Sequence, residues 1–571
     1  MKRYIFGAML FSTAFLASCS LDEEPKSSLS EEQAFANPTL TYVNSVANVY
    51  SSIGNGWYGN TDNIHCLNEF TSDQTMLPGR QGDWVDGGKW QNLFLHNFGP
   101  SVDVYATVWN HIYGIVGKCN SNIDYLKSLD ETANAAYIAE LRALRALYYY
   151  NACDLFANVP IVESSKQSIS DVKQASRKEV FDFVVKELTE VLPLLSTESC
   201  VSETSTLYGR VNKATAYMCL AKMAINAPVF TTNVTDASSL KMLVGGDKSG
   251  AAKATAEVGD AVSAAGKTIM MTVDGKSRNA WETAIYCVEQ LENMGYRLQD
   301  SYAQNFAVAN STSVENIWIR PNDDKKYMLW DANLMRSLHY NHAGAMGYSG
   351  WNGACATTRA MEVMGYDTAD QDPRLAINYY TGTDYVGDTG VLVGDGATSQ
   401  NLEYMPWAAV VDFGDGSDPH AVKCAGARFK KYEYDKTSTI QGDINNDFVI
   451  WRYGDALLIK AEANFRLDKP TLALEQLNLV RERVGAPAKT SIDYNTILDE
   501  RMIELAWEGV RRQDQVRFGT FTEPTRDRFV GVHHNGAAGD YVVDNTGYTN
   551  VYPIPQSVLD LNTNLKQNPG Y

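Results

Sequence analysis

Two acidic side chains near the C-terminus have a spacing that raises the question of catalysis. Glu504 and Glu508 lie four residues apart in a segment with helical periodicity, and paired carboxylates are the catalytic groups of most glycosidases. On a helix, however, residues four apart lie side by side on one face, whereas a glycosidase places its carboxylates across the scissile bond. We therefore interpret the two carboxylates as members of ion pairs that fix the helix to its surroundings, with Arg511, Arg512, Asp514 and Arg517 following in the sequence.

A second segment matches the pattern of a phosphate-binding loop. Residues 261–268 read AVSAAGKT, which satisfies [A/G]-x4-G-K-[S/T]. No apolar strand precedes them, although such a loop requires one, and residues 251–265 are rich in alanine, as in a helix. The sequence therefore predicts a helix that ends at Gly266, and no nucleotide cofactor.

The sequence gives even less support for a metal site or a catalytic nucleophile. Residues 443–447 (DINND) hint at a calcium loop but lack the glycine and closing glutamate of an EF-hand. His533 and His534 have no partner motif on a helix, and neither G-x-S-x-G nor H-E-x-x-H occurs. The sequence thus predicts a protein that is not an enzyme and binds no metal or other cofactor.

The N-terminus has the features of an export signal. Lys2 and Arg3 precede an apolar run over residues 4–17, which is too short to span a membrane and suits a signal peptide. The following Leu-Ala-Ser-Cys resembles the lipobox of bacterial lipoproteins, so residues 1–18 are predicted to be removed and Cys19 to be lipidated. Each buried acyl CH₂ group contributes about 0.8 kcal/mol to membrane anchoring.

A polar tether follows the lipidation site over residues 19–35. It contains the acidic triplet 22–24 and several serines, a composition typical of a solvated linker. The triplet is similar to the surface-export signal of lipoproteins in Bacteroidetes. We expect the protein to be anchored by lipid in the outer membrane and to face the extracellular medium.

Composition narrows the class of ligand. The 571 residues carry a net charge of −19, and such an acidic surface repels nucleic acid. The nine cysteines include no C-x-x-C pair, so one or two disulfides remain possible but cannot be assigned. Aromatic residues are abundant (32 Tyr, 19 Phe, 11 Trp), and several Trp lie in stretches rich in Gly, Asp and Asn. Flat rings among polar side chains are typical of carbohydrate sites.

Helical periodicity recurs along the chain and predicts a mainly α fold. The segments with apolar stripes at helical spacing are 138–148, 180–191, 211–227, 457–465, 474–484 and 498–505. Short paired helices with Ala, Leu and Tyr faces suggest a tetratricopeptide-like helical-repeat scaffold, although no strict 34-residue period survives.

Long irregular regions separate these helices. They are rich in Gly, Asn, Asp, Thr and Tyr and comprise about 51–100, 229–250, 300–450 and 519–560. Loops of this length usually carry function. We expect one domain over residues 36–571, with helical repeats mainly at about 100–230, 250–295 and 450–515, minor β structure, and a loop-rich ligand face at about 51–99 and 300–450.

Several segments together resemble the SusD/RagB family of outer-membrane nutrient-binding lipoproteins. They are 142–150 (RALRALYYY), 154–161 (DLFANVPI), 209–216 (GRVNKATA), 452–463 (RYGDALLIKAEA), 477–483 (LNLVRER), 500–511 (ERMIELAWEGVR), 552–555 (YPIP) and 567–571 (QNPGY). Two departures are Trp451 before Arg452, and Gly454 where the family usually has Ala.

The resemblance implies both a fold and a partner. It implies four tetratricopeptide-like units that support a ligand face built from loops. It also implies a SusC-like TonB-dependent outer-membrane barrel, on which the lipoprotein acts as a lid that delivers a captured oligosaccharide.

The resemblance also points to a ligand loop at residues 71–90. Within it we predict Trp84 as the stacking platform and Asp73, Arg80 and Asp83 as hydrogen-bonding groups. Trp90 is a further candidate that could equally pack inward.

A second contribution is expected from the region after the mid-chain helix, where Trp318, Trp330 and Trp351 fall. Trp318 lies in a strand-like alternation, so a core position is its alternative, whereas Trp330 lies in a polar loop. Trp281 and Trp507 are predicted to be structural.

Two other functions stay open at this stage. RagB-like members imply a peptide-binding lid as the main alternative. A surface glycosidase is the second, and the absence of an acid pair across a cleft counts against it.

Overall fold

A computed structural model describes residues 38–58, 62–235, 243–245, 253–325, 332–438, 444–523, 525–529 and 540–571. The predicted residues Cys19 and Trp330 lie outside the described residues, as do His533, His534, the signal peptide and the tether. Their predicted roles are therefore carried forward only as proposals.

The scaffold is built from nine long helices in the described part of the chain. They are Asp103–Asp130, Ala135–Phe156, Arg177–Val191, Lys213–Ile225, Ala256–Thr268, Ala280–Asn293, Tyr453–Arg466, Pro470–Arg483 and Tyr494–Glu504. Neighbours pack side by side: Ala135–Phe156 lies between the helices before and after it, and Ala280–Asn293 contacts both Lys213–Ile225 and Tyr453–Arg466. The prediction of a mainly α, tetratricopeptide-like fold is confirmed.

Shorter elements fill the regions between the long helices. The short helices are Pro38–Tyr42, Asn48–Tyr50, Gly54–Trp57, Ile64–Glu69, Lys89–Phe94, Ala227–Phe230, Ala332–Ser337, Tyr340–Ala345, Thr358–Val363, Leu375–Asn378, Val386–Thr389, Pro419–Cys424, Arg511–Arg517, Arg526–Phe529 and Gln556–Leu561. A π-helical turn, Val43–Ala47, joins the first two. The loop regions are thus more structured than their composition indicates.

The strands form five two-stranded sheets among the described residues. Four are antiparallel: Thr75–Met76 with Cys355–Ala356, Asn316–Arg320 with Phe448–Arg452, Met270–Val273 with Lys276–Asn279, and Tyr379–Tyr380 with Arg428–Phe429. The fifth is parallel and joins Gly79–Arg80 to Asp412–Phe413. Four of these sheets pair segments that are far apart in sequence, so they tie the loops together.

Side-chain caps determine where several scaffold helices begin. Ser176, Asn212 and Asn279 each accept a hydrogen bond from the backbone N–H three residues later. The side chain at that later position accepts one from the backbone N–H of the capping residue. These reciprocal capping boxes satisfy backbone groups that would otherwise lack partners at a helix start.

The predicted helix end at Gly266 is wrong. The helix Ala256–Thr268 continues past this glycine, which is buried against the indole of Trp281. A Cβ atom on Gly266 would lie 2.7 Å from Trp281 Nε1, closer than van der Waals contact allows. Gly266 therefore serves helix packing and not helix termination.

The predicted helix through Glu504 and Glu508 is also wrong, although the predicted ion pairs are confirmed. The helix ends at Glu504, and the chain turns through positive φ at Trp507 (64°) and Gly509 (68°). Both carboxylates nevertheless accept hydrogen bonds from Arg452, at 2.6 and 2.8 Å.

A buried charge cluster surrounds that arginine. Arg452 also binds Glu315 at 2.6 Å, and Glu504 binds Arg374 at 2.8 Å. Gly454 lies so close to the cluster that a Cβ atom would be 2.8 Å from Glu315 Oε1. This contact gives a physical reason for glycine at a position where the family usually has alanine.

Neither disulfides nor membrane spans occur in the described residues. The eight cysteines from Cys66 to Cys424 are buried, and none of them forms a disulfide within the described residues. No described helix combines the length and the apolar character needed to cross a bilayer.

Candidate functional site

The loop that follows Arg80 has an unusual backbone. After the parallel strand Gly79–Arg80, φ is positive at Gln81, Gly82 and Trp84, with values of 50°, 102° and 60°. A left-handed conformation costs a non-glycine residue roughly 1–2 kcal/mol, so the surrounding contacts must hold Trp84 in place.

Two contacts hold the Trp84 ring. Its indole N–H donates a 2.9 Å hydrogen bond to the backbone carbonyl of Trp351. Gly353 lies directly against the ring, because a Cβ atom there would be 2.6 Å from Trp84 Cε2. The indole N–H is therefore used within the protein, and the ring face is what remains for a ligand.

Trp84 and Trp351 together form an aromatic wall. Their ring centroids are 6.2 Å apart with planes inclined by 41°, and both side chains are partly exposed. They come from positions 267 residues apart, so the fold creates this wall. Such surfaces stack against the apolar faces of sugar rings.

Polar groups border the wall at Asp83. Its carboxylate lies 3.3 Å from both the Tyr340 hydroxyl and the Lys423 ammonium, and that ammonium donates a 2.6 Å hydrogen bond to the same hydroxyl. Partial burial lowers the pKa of Lys423, but the contacts with Tyr340 and Asp83 outweigh it and raise the pKa above its usual value. The site therefore offers a fixed cation, an anion and a hydroxyl to ligand hydroxyl groups.

Arg80 fixes the base of this loop and does not face solvent. It is buried, and its guanidinium donates to the carbonyls of Val422 at 2.7 Å, Ala425 at 3.0 Å and Gly353 at 3.3 Å. Burial and the neighbouring charge of Arg428 lower its pKa to about 9, so it stays charged at neutral pH. Because all its partners are protein carbonyls, we assign it a positioning role.

Asp73 is likewise internal. Its carboxylate is buried and forms two hydrogen bonds with Arg511. Burial alone would raise the pKa of Asp73, but the charge of Arg511 outweighs burial and keeps it below the usual value. The structure places this predicted ligand group in a structural ion pair.

Two of the predicted tryptophans are also buried. Trp90 donates its indole N–H to Asp86 at 2.7 Å and packs against Phe70, so it takes the inward alternative. Trp318 lies in the strand Asn316–Arg320 and contacts Trp57 and Trp451. Of the predicted site residues that are described, the structure brings Asp83, Trp84 and Trp351 together at the surface.

Two residues of the site were missed by sequence reasoning. Tyr340 is the first residue of the short helix Tyr340–Ala345, and Lys423 lies near the end of the short helix Pro419–Cys424. Both helices are far from residues 71–90 in sequence. No spacing pattern connects them with Asp83, so only the folded chain shows the cluster.

One exposed tryptophan was also not predicted from the sequence as a candidate site residue. Trp407 is 46% exposed, the only tryptophan in the described residues with this degree of exposure, and its ring lies 5.7 Å from that of Tyr366. In the sequence it stands in a Met-Pro-Trp segment that precedes the apolar residues 408–411.

Metal chemistry has no support in this part of the chain. In the described ranges, no group of three or more His, Cys, Asp or Glu side chains is arranged to hold a metal ion. The arrangement around Trp84 is suited to stacking and hydrogen bonding.

Two family models match the chain. One is described as "SusD family" and matches residues 314–571, and the other is described as "Starch-binding associating with outer membrane" and matches residues 21–225. Together they span both the first and the last scaffold helices.

Individual proteins are similar over nearly the whole length. "Starch-binding protein SusD" of Bacteroides thetaiotaomicron is 22% identical, with 90% of this chain and 86% of that protein aligned. The solved structure of surface glycan-binding protein A from Bacteroides uniformis matches with a TM-score of 0.65, at 19% identity, covering 92% of this chain and 98% of that one. The corresponding protein from B. thetaiotaomicron in complex with laminarihexaose matches with a TM-score of 0.62, at 19% identity over 92% and 98% of the two chains. At these identities the structural matches show a shared fold.

Proposed function

Because this chain belongs to the SusD/RagB family, we propose that it is a glycan-binding protein of the cell surface and that its ligand is an oligosaccharide. The observation that carries the proposal is the aromatic wall of Trp84 and Trp351, bordered by Asp83, Tyr340 and Lys423. The names of similar proteins, which include starch-binding and glycan-binding ones, support the same ligand class.

Binding would follow from two properties of the site. The wall buries the apolar face of a sugar ring, which removes apolar surface from water. The ammonium, carboxylate and hydroxyl at its border then donate and accept hydrogen bonds with ring hydroxyls. Since these groups already contact one another, little side-chain entropy is lost when the ligand arrives.

Delivery of the ligand is the second part of the proposal. The lipid on Cys19 and the acidic tether would keep the protein at the outer membrane, facing the medium, beside a SusC-like TonB-dependent barrel. The protein would act as a lid that captures an oligosaccharide and releases it into the barrel. The lipobox-like sequence and the family description that mentions the outer membrane support this part.

The catalytic alternative has little support at this site. Asp83 is the carboxylate at the wall, and the Lys423 ammonium and the Tyr340 hydroxyl occupy its near surroundings. A retaining glycosidase needs a second carboxyl group about 5 Å away, and an inverting one needs it within about 10 Å.

Isothermal titration calorimetry on the soluble chain, residues 20–571, tests the proposal. Oligosaccharides of starch, laminarin, xylan, xyloglucan, fructan and pectin would be titrated in turn, together with a mixture of short peptides. We expect at least one glycan to bind the wild type and to lose most of its affinity for the Trp84→Ala variant. Binding of peptides without any glycan would overturn the proposal in favour of a peptide-binding lid, and shortening of a bound glycan would show catalysis.

A further inference from the structure

A separate groove of about 630 Å³ lies beside the strand Asn316–Arg320, which contains Trp318. Its walls come from the first described helices, from residues 208–210 and from the end of the strand Asn316–Arg320. None of the residues around Trp84 lines it. Its volume is within the range of pockets that hold small organic ligands.

Aromatic rings form much of its lining. Tyr42, Tyr50 and Tyr208 face the groove, with Trp318 beneath them. The Tyr50 hydroxyl accepts a 2.8 Å hydrogen bond from the backbone N–H of Val211, and the Tyr208 hydroxyl donates one of 2.6 Å to Asp447. The hydroxyls of Tyr50 and Tyr208 are therefore engaged within the protein. The Arg210 guanidinium lies 4.3 Å from the centre of the Tyr42 ring, so Tyr50 and Tyr208 supply most of the aromatic lining.

Two arginines line the groove, and they differ in one respect. Arg210 is neutralised by Glu140, which accepts a 2.9 Å hydrogen bond from its Nε. Arg320 forms no ion pair with any carboxylate of the described residues, and the hydrogen bond from its Nη1 goes to the neutral amide oxygen of Asn322. Within the described residues, Arg320 is thus the guanidinium of the groove that forms no ion pair.

Burial affects the pKa of this arginine. It lowers the pKa of Arg320 to about 10, against the opposing effect of the Asp447 carboxylate. A desolvated cation gains more from an added anion than an exposed one does, because the surrounding dielectric constant is low.

We propose that this groove binds an acidic sugar, a uronate residue within an oligosaccharide, with its carboxylate on Arg320 and its ring against the tyrosines. A guanidinium matches a planar carboxylate through two parallel hydrogen bonds. The net charge of −19 disfavours a high local density of negative charge, so a carboxylate with one charge per sugar ring fits better than a phosphate ester with a charge of about −2.

The choice of a sugar as the carrier of the carboxylate rests on the proposed function. The groove and the aromatic wall are nevertheless separate sites with separate residues. Variants of one site can therefore be tested while the other stays intact.

Calorimetry with trigalacturonate and its methyl ester tests the inference. The two probes have the same rings and differ only at the carboxyl groups, where the ester lacks the negative charge and carries a methyl group. We expect the acid to bind the wild type at least tenfold more tightly than the ester, and Arg320→Gln to abolish that difference. Arg297→Gln is the matched control, because Arg297 is an exposed arginine outside the groove and its loss changes the net charge equally. Trp84→Ala should leave the preference for the acid unchanged.

A second variant keeps the test valid if Arg320→Gln does not fold. Gly54 lies beside Arg320, and a Cβ atom there would be 3.7 Å from its Nη2, an ordinary contact. Gly54→Glu should therefore place a carboxylate on Arg320 and exclude the acid probe, whereas Gly54→Gln should exclude it less.

The outcomes separate this inference from the proposed function. Equal binding of acid and ester, or loss of acid binding in Trp84→Ala but not in Arg320→Gln, would overturn the groove as an acid-sugar site. A different result would overturn the proposed function and still support the groove as an acid-sugar site. In that result no glycan binding depends on Trp84, but binding of the acid probe depends on Arg320.

Discussion

The carboxylate of Asp73 accepts hydrogen bonds of 2.6 and 2.9 Å from Nε and Nη2 of Arg511, a residue 438 positions later in the chain. Both side chains are buried. The pair joins the start of the ligand loop to the helix Arg511–Arg517, so the loop is attached to the scaffold by a charge pair as well as by its strands.

Asp73→Asn is expected to lower the stability of the fold without weakening the glycan site. Removing one partner of a buried ion pair leaves the other charge uncompensated, at a cost of about 3–5 kcal/mol. Urea unfolding would measure the change in the free energy of unfolding, and calorimetry the affinity of the folded fraction. Asp83→Asn is the matched control and should show the reverse pattern: nearly unchanged stability and weaker binding. If Asp73→Asn binds glycan far more weakly while fully folded, Asp73 acts on the ligand.

Trp84→Ala should weaken glycan binding by about 2 kcal/mol, roughly 30-fold, because the stacking surface is lost. Trp84→Tyr keeps a ring but loses the hydrogen bond to the Trp351 carbonyl, so it should recover part of the affinity. Calorimetry gives the affinities, and near-ultraviolet circular dichroism checks that the fold is retained. Unchanged affinity in Trp84→Ala would show that the wall is not the platform.

Lys423→Met should reduce glycan affinity several-fold with little effect on the melting temperature, since the ammonium is partly exposed and lies at the border of the wall. Lys430→Met is a suitable control, because Lys430 also lies over a tyrosine ring and near an aspartate, but outside the wall. Equal losses in the two variants would indicate a general charge effect and not a contact with the ligand.

Gly454→Ala is expected to destabilise the protein by about 1–3 kcal/mol, since the added methyl group meets the Arg452–Glu315–Glu504 cluster. Gly114→Ala is the matched control: Gly114 lies in the helix Asp103–Asp130 with open space around its Cα, so alanine should stabilise that helix by roughly 0.5–1 kcal/mol. Urea unfolding of both variants measures whether each substitution raises or lowers the free energy of unfolding. A neutral or stabilising effect at position 454 would mean that the cluster can move aside.

Acid should destabilise the fold in part through His65. Burial lowers the pKa of His65 to about 3, despite a hydrogen bond to the Trp507 carbonyl that raises it. A pKa that is lower in the folded than in the unfolded state gives stability that is present above about pH 6.5 and is lost as the pH falls towards 3. At pH 5 the loss from this group is about 2 kcal/mol.

His65→Gln isolates that contribution, because glutamine keeps a donor for the Trp507 carbonyl but does not titrate. The free energy of unfolding should depend less steeply on pH between 6.5 and 4 in the variant, by close to one proton. Identical slopes in the two proteins would show that His65 is already protonated in the fold.

Amphipathic periodicity explains how much of the fold was predictable. Stripes such as the one over residues 180–191 specify a helix locally, and the structure has a helix there, Arg177–Val191. Boundaries were less predictable, because the helix end at Glu504 depends on charges that converge on Arg452 from elsewhere in the chain.

The candidate site was predictable as a region but not residue by residue. Residues 71–90 have no periodic pattern, so nothing local distinguishes the inward Asp73 and Arg80 from the outward Asp83 and Trp84. Tyr340 joins the site from a position 257 residues away, a contact that only tertiary folding creates.

The burial of the eight cysteines has a practical consequence for labelling. A single cysteine introduced at an exposed position would be the accessible thiol of the described fold, since the eight from Cys66 to Cys424 are shielded inside it. A fluorophore could then be attached at one chosen point of the otherwise unchanged protein, and its distance to a dye on a partner barrel could be followed in real time. The shielding of its interior thiols thus makes this protein suited to an optical test of the proposed lid movement.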